Sequence, residues 1–140
     1  MLQGADIFIG VSKGNSLPEA YIKKMNKDPI ILALANPIPE ILPQTAKEAG
    51  AFIVCTGRSD FKNQVNNALA FPGLFRGLIE SGWTKVDETF KLQVALAIAE
   101  YQENTKALNA DHVLPDLLDL SLHASVVKKI VDYVDRLHGR

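Results

Sequence analysis

Three short apolar runs, separated by polar or amphipathic stretches, set the frame of this chain. They are ADIFIGVS at 5–12, IILALA at 30–35 and AFIVCT at 51–56. Each is too short for a buried helix and rich enough in Ile, Val, Leu and Phe for a buried strand. After the first, Lys13-Gly14-Asn15 turns the chain. Ser16-Leu17-Pro18-Glu19 then has the Ser-x-x-Glu form of a helix start, with a Pro where no N–H donor is needed. A helix is predicted to about Met25, ended by Asn26 to Pro29. Asn36-Pro37 stops the second run, and Pro39, Glu40 and Pro43 introduce a short helix to about Ala49, closed by Gly50.

Strand, helix, strand, helix, strand is the order of a parallel sheet covered by helices. Right-handed crossovers place the three strand ends on one edge. That edge collects Gly10-Val11-Ser12, Asn36-Pro37 and Thr56-Gly57-Arg58. Open α/β sheets bind ligands outside the carboxyl ends of their strands, so this edge is the place to look for a site.

The stretch that leaves the third strand, GRSDFKNQVNNALAFPGLFRG at 57–77, is dense in polar side chains. Thr56, Arg58, Ser59 and Asp60 are followed by the amides Asn63, Gln64, Asn66 and Asn67, then by an apolar run broken at Pro72-Gly73. Such a connection binds a polar ligand through amides, hydroxyls and helix N–H groups, or is an ordinary capped turn. Gly82 is predicted to end a helix that begins near Asn66. Thr84 is predicted to cap the next one, with Asp87 and Glu88 in its first turn. Phe90, Val94, Ala97, Ile98 and Tyr101 form its core-facing stripe. Residues 104–120 read as loop or short turns around Pro115. A last helix spans about 121–137, with Leu122, Val126, Ile130, Val134 and Leu137 at a four-residue step.

Composition narrows the function classes. With 140 residues, 47% of them hydrophobic, the chain reads as one domain with a real core. A net charge of −1 and only small basic clusters exclude a nucleic-acid partner. The lone Cys55, inside an apolar run, excludes a disulfide scaffold and suits a reducing compartment. Asp6 interrupts any leader-like apolar start, and no segment reaches the ~20 apolar residues of a membrane span. A cytoplasmic protein with no membrane partner is expected. His112, His123 and His138 lack the spaced partners of a metal site, and neither a Gly-x-Gly-x-x-Gly nor a Walker loop is present.

GADIFIGVS, DPIILALANPIPE and above all TGRSDFKNQVNNALAFPGLFRG resemble the malic enzyme family, in particular its shorter bacterial-type members. The resemblance is strong over about residues 3–105 and looser in the last helix. It implies an α/β fold that is half of a Rossmann-like doubly wound parallel sheet, three parallel strands with flanking helices, plus C-terminal helices. The chain would be the C-terminal portion of an NAD(P)-binding domain whose glycine-rich first half is absent. Enzymes of this family oxidise L-malate with NAD+ or NADP+ and decarboxylate the resulting oxaloacetate to pyruvate, aided by Mg2+ or Mn2+.

Carried over by motif, Asn36 of the ANP turn matches an asparagine against the nicotinamide and substrate. Asn66 and Asn67 match a pair whose amide reaches a malate carboxylate. Val11 and Ser12 match the turn that runs along the dinucleotide. Neutral amides can orient a carboxylate or carboxamide without disturbing nearby proton transfer. The same residues also have plainer readings, Asn36 as a strand stop before Pro37 and Asn67 as a helix cap.

There are departures too. The family's Tyr and Lys acid–base pair, its acidic metal ligands and its phosphate-gripping loop match nothing here, and Lys13-Gly14-Asn15 stands where the family has an alanine-proline-glycine turn. No catalytic residue is therefore assigned, and the chain alone is expected to be inactive. A homo-oligomer is expected, and the isolated fragment is expected to self-associate through an open strand edge at 5–11 or to be only marginally folded. A non-catalytic binding module and a malolactic enzyme portion stay as alternatives, and NAD is not separable from NADP.

Overall fold

A computed structural model describes residues 2–139. The chain forms two compact units, Met1–Asn66 with Asn109–Val113, and Asn67–Leu108 with Leu114–Arg140. Each has its own hydrophobic cluster, so the single core suggested by composition is in fact two.

In the first unit, β1 (Ile7–Gly10), α1 (Glu19–Ile22), β2 (Ile30–Ala33), α2 (Pro43–Glu48) and β3 (Ile53–Thr56) alternate as expected. The strands are parallel in the order β1-β2-β3. Ile7 pairs with Ile30 and Ile30 with Ile53, and the ladders end at Gly10, Ala33 and Thr56. This is the half of a Rossmann-like doubly wound parallel sheet that the sequence implied. Alternation assigns Phe8, Ile31 and Val54 to one face. There Ile31, Ala33 and Val54 pack with Leu17, Ile22, Ile41 and Ala46. Ile22 of α1 and Ala46 of α2 both join that cluster, so the two helices lie on the same face, as right-handed crossovers stepping one way along the sheet require. Ile7 and Ile9, which alternate to the other face, are 53% and 62% exposed.

Local chemistry shortens the first helix. Ser16 Oγ donates to the Lys13 carbonyl at 2.7 Å and closes the turn, so it is not available as a cap. Pro18 holds the capping position without a side-chain bond, and the helix is a single turn. Lys24 and Met25 continue in tighter turns, their N–H groups donating to the carbonyls three residues back.

The second unit is helical. A 3-10 turn at Asn67–Leu69 leads into α3 (Phe71–Ser81), α4 (Glu88–Asn104) and α5 (Leu120–Leu137). The helix expected from Asn66 starts five residues later, and Pro72 does not break it. Pro72 occupies its first turn, where a missing N–H costs nothing. Gly82, at φ 67°, ends α3 in the left-handed conformation that glycine favours. Asp87, not Thr84, caps α4 by accepting from the Phe90 N–H at 2.9 Å. Asp119 caps α5 through the Ser121 N–H at 2.9 Å. The stripes meet as predicted around Phe90, Val94, Ala97, Leu122, Val126 and Ile130. Leu137 is the exception, 51% exposed at the end of α5. Among the described residues, no helix is long and apolar enough to cross a membrane.

Candidate functional site

Parallel register delivers the loops after β1, β2 and β3 to one edge of the first unit. Two side chains bind these loops together: Glu40, read from the sequence only as part of a helix start, and Arg58, read only as one polar residue of the edge. The first is Glu40, fully buried. Its Oε1 accepts from the Ser12 N–H at 2.9 Å and its Oε2 from the Ala35 N–H at 3.1 Å. Its own carbonyl accepts from the Leu17 N–H at 3.0 Å, and the Pro39 carbonyl from the Asn15 N–H at 3.0 Å. The turn after β1 is thereby tied to the turn after β2.

The second is Arg58, which ties the third loop to the second. Its guanidinium donates to the Pro37 carbonyl at 2.9 Å and to both oxygens of Asp60, at 2.8 and 2.6 Å. Hydrogen bonding to Asp60 holds the guanidinium above its ordinary pKa, and the same bond holds the Asp60 carboxyl below its own. Arg58 thus serves as a neutralised clamp in this unit. Its guanidinium carbon also lies 5.4 Å from the Phe61 ring centre, a cation–π contact.

Beyond Thr56 the chain loops round to an isolated parallel bridge between Gln64 and Thr56. The Val65 N–H donates to the Thr56 carbonyl at 2.8 Å, and the Thr56 N–H to the Asn63 carbonyl at 3.4 Å. Asn63 is buried at a φ of 54°, a left-handed geometry that Asn tolerates better than most residues. Its amide donates to the carbonyls of Val54 and Ala110, and its oxygen accepts from the Val113 N–H. Of the four amides in this stretch, Asn63 is consumed by holding residues 110–113 in place.

Val11, 77% exposed, and Ser12 lie at the end of β1. Asn36 is exposed after β2, at a cis peptide bond to Pro37. Its carboxamide stands against Gly57, where an added β-carbon would lie 2.9 Å from Nδ2. Val11, Ser12 and Asn36 therefore share the rim of the first unit. Asn66 is exposed and lies just beyond Gln64, which forms an isolated parallel bridge with Thr56, as the last residue of that unit before 109–113. Asn67 is exposed and opens the second unit. It does not cap α3, whose capping position is Ala70. Glu40 left one faint trace in the sequence, an acid flanked by Pro39 and the apolar Ile41-Leu42. Asn63 left none that set it apart from its neighbouring amides.

The uncharged side chains of Ser12 and Asn36 share this rim with exposed apolar Val11 and Ile38, beside the Arg58–Asp60 pair. Such a set fits the ring and carboxamide of a nicotinamide. It does not fit a divalent cation, because among the described residues no three His, Cys, Asp or Glu side chains group to hold one.

Residues 4–134 match the family described as the malic enzyme NAD-binding domain. The chain is 48% identical over 126 residues to the bifunctional malic/malolactic enzyme of Bacillus subtilis. It is 41% identical over 132 residues to the NAD-dependent malic enzyme of Geobacillus stearothermophilus. It covers 90% of itself and 30% of the first, and 94% of itself and 27% of the second, so it spans less than a third of either relative. Among solved structures, the malic enzyme of Pyrococcus horikoshii superposes with a TM-score of 0.91 at 36% identity, covering 98% of this chain and 31% of that one. The rim, the half-sheet and these matches agree that the chain belongs to the malic enzyme NAD-binding domain family.

Proposed function

We propose that this chain is the C-terminal portion of the NAD(P)-binding domain of a malate oxidoreductase (decarboxylating). That enzyme converts L-malate and NAD(P)+ to pyruvate, CO2 and NAD(P)H. The observation that carries the reading is the placement of Asn36 on the strand-end rim, packed against a glycine. Val11 and Ser12 lie along the dinucleotide, and Asn36 meets its nicotinamide. Asn66 and Asn67 offer amides to a malate carboxylate. When bound, NAD(P)+ supplies the hydride acceptor. The asparagines orient and hold, since a carboxamide can donate and accept hydrogen bonds without taking a proton. The acid–base pair, the metal ligands and the glycine-rich first half of the domain come from sequence outside these 140 residues. The reading is supported by the small share of each relative's length that this chain spans.

A chimera tests it. Replacing the matched segment of the Bacillus subtilis enzyme with this chain is expected to give malate-dependent reduction of NAD+ or NADP+. The isolated chain with malate, cofactor and Mg2+ or Mn2+ is expected to give none above blank. Asn36→Ala or Asn67→Ala in the chimera should lower kcat/KM for malate by about tenfold or more, the effect of removing a directional hydrogen bond at the reacting end. A folded but inactive chimera, or turnover by the chain alone, overturns the reading. Because that relative is described as malic/malolactic, the product should be identified as pyruvate or lactate in the same assay.

A further inference from the structure

Glu40 is a costly residue to keep where it is. It is fully buried, and burying a carboxyl without adequate partners is unfavourable. The two partners in place are both backbone N–H groups, Ser12 on Oε1 and Ala35 on Oε2. Two donors arriving at two different oxygens explain why the residue is an acid. Glutamine offers one acceptor oxygen and would turn an NH2 group toward the second N–H, while an apolar residue would leave both buried donors unmet.

The backbone is fitted to this side chain as well. A β-carbon on Gly10 would sit 2.5 Å from the Glu40 carboxyl carbon, closer than real contacts allow, so the last residue of β1 is a glycine where the carboxyl approaches. Glu40 therefore touches the end of β1, the turn carrying Ser12 and the residue directly before Asn36.

We propose that Glu40 is the positioning residue of this rim: its buried side chain holds the Ser12 turn and the Asn36 turn in one register, so that both are presented together to a nicotinamide dinucleotide. The inference rests on the cofactor reading given above. It assigns Glu40 no contact with the ligand. Its effect travels through the Ser12 and Ala35 amides alone.

The test uses the 140-residue chain and amide hydrogen exchange read by NMR. Ser12 is an exposed loop residue, so slowed exchange of its amide in the wild-type chain is expected only if the Glu40 bond holds it. Free exchange there overturns the proposal without any variant. In Glu40→Gln, exchange at Ser12 and Ala35 is expected to rise about tenfold or more while the amide of Ile31, in the centre of the sheet, is unchanged. Titration of NAD+ and NADP+ into the Bacillus subtilis chimera, with and without Glu40→Gln, then separates positioning from bracing. At a temperature where both proteins are fully folded, Glu40→Gln should bind the preferred dinucleotide about tenfold more weakly. Equal affinity in wild type and variant reduces Glu40 to a structural brace and overturns the proposal. A folded wild-type chimera that binds neither dinucleotide overturns the cofactor reading and the proposal with it. That failure is visible in wild type alone, whereas failure of the Glu40 inference is visible only on comparing the two proteins.

Discussion

The carboxamide of Asn36 rests on the bare α-carbon of Gly57, with Nδ2 2.9 Å from where a β-carbon would be. Two strand ends are thus in contact through one side chain and one missing side chain. Gly57→Ala should push the Asn36 amide aside, and because the displaced atoms end a flexible side chain, the stability cost should stay below about 1 kcal/mol. If Asn36 orients substrate and nicotinamide, the same change in the malic enzyme chimera should lower kcat/KM for malate by about tenfold, since small misplacements at a reacting centre are costly. Thermal melts and steady-state kinetics on the same preparation check both halves. A large fall in melting temperature with unchanged kinetics would contradict the expectation.

Gly73 and Gly77 in α3 belong to a different class. A β-carbon on Gly73 would meet Val126 Cβ at 2.8 Å and the His123 carbonyl oxygen, a backbone atom, at 2.9 Å. One on Gly77 would meet Ile130 Cδ1 at 2.8 Å. Backbone cannot give way as a flexible tip can, so Gly73→Ala should destabilise the second unit by about 1–3 kcal/mol through overpacking. Helix propensity favours alanine by only ~1 kcal/mol and does not reverse the sign. Urea titration followed by far-UV circular dichroism measures it. The result should be a lower midpoint for both variants, since Ile130 Cβ, 2.9 Å from a β-carbon on Gly77, is fixed by its own backbone.

These glycines show where the sequence could be read and where it could not. The three apolar runs and their parallel order were legible because a strand buried in a parallel sheet is apolar throughout. The placement of Asn36 on the strand-end edge was legible because strand ends in such sheets share one edge. The FPGLFRG stretch misled because Pro72 and Gly73 look like a break, whereas Pro72 sits in the first turn and Gly73 makes room for α5. Close approach between helices distant in sequence leaves no local trace. Glu40 escaped for the same reason: its partners Ser12 and Gly10 lie about thirty residues away in sequence. Ser16 and Thr84 had the composition of caps, but Ser16 bonds Lys13 and the capping bond of α4 comes from Asp87.

Asn63 should be among the positions least tolerant of substitution in the first unit. Its side chain makes hydrogen bonds of 3.2, 2.9 and 2.8 Å to Val54, Ala110 and Val113. Asn63→Ala leaves these backbone groups without that partner and puts a β-carbon-bearing residue without a polar side chain at positive φ, for a cost of about 2–4 kcal/mol. Asn63→Asp keeps an acceptor for the Val113 N–H but faces two carbonyl oxygens with an oxygen, so it should not restore stability. Residues 110–113 should gain hydrogen exchange in both variants before the strands do. Retained protection at Val113 in Asn63→Ala would contradict the assignment.

Cys55 makes the pH behaviour of the first unit predictable at the alkaline end. Burial pushes its thiol from 9.0 up to about 11, against a smaller opposing pull from the Lys47 ammonium. In the unfolded chain the thiol ionises near its ordinary value, while in the folded chain it keeps its proton. Below pH 9.0 both states hold the proton and the residue adds no pH dependence. Between 9.0 and about 11 the unfolded state releases a proton that the folded state retains, so stability must fall as pH rises through that window. Cys55→Ala should flatten that slope. Near pH 8 the folded wild-type chain should react with a thiol reagent roughly a hundredfold more slowly than the urea-unfolded chain, from thiolate fraction alone. Rapid labelling of the folded chain at that pH would show that Cys55 is reached by a local opening, and would move the origin of the protection from the strand to the dynamics around it.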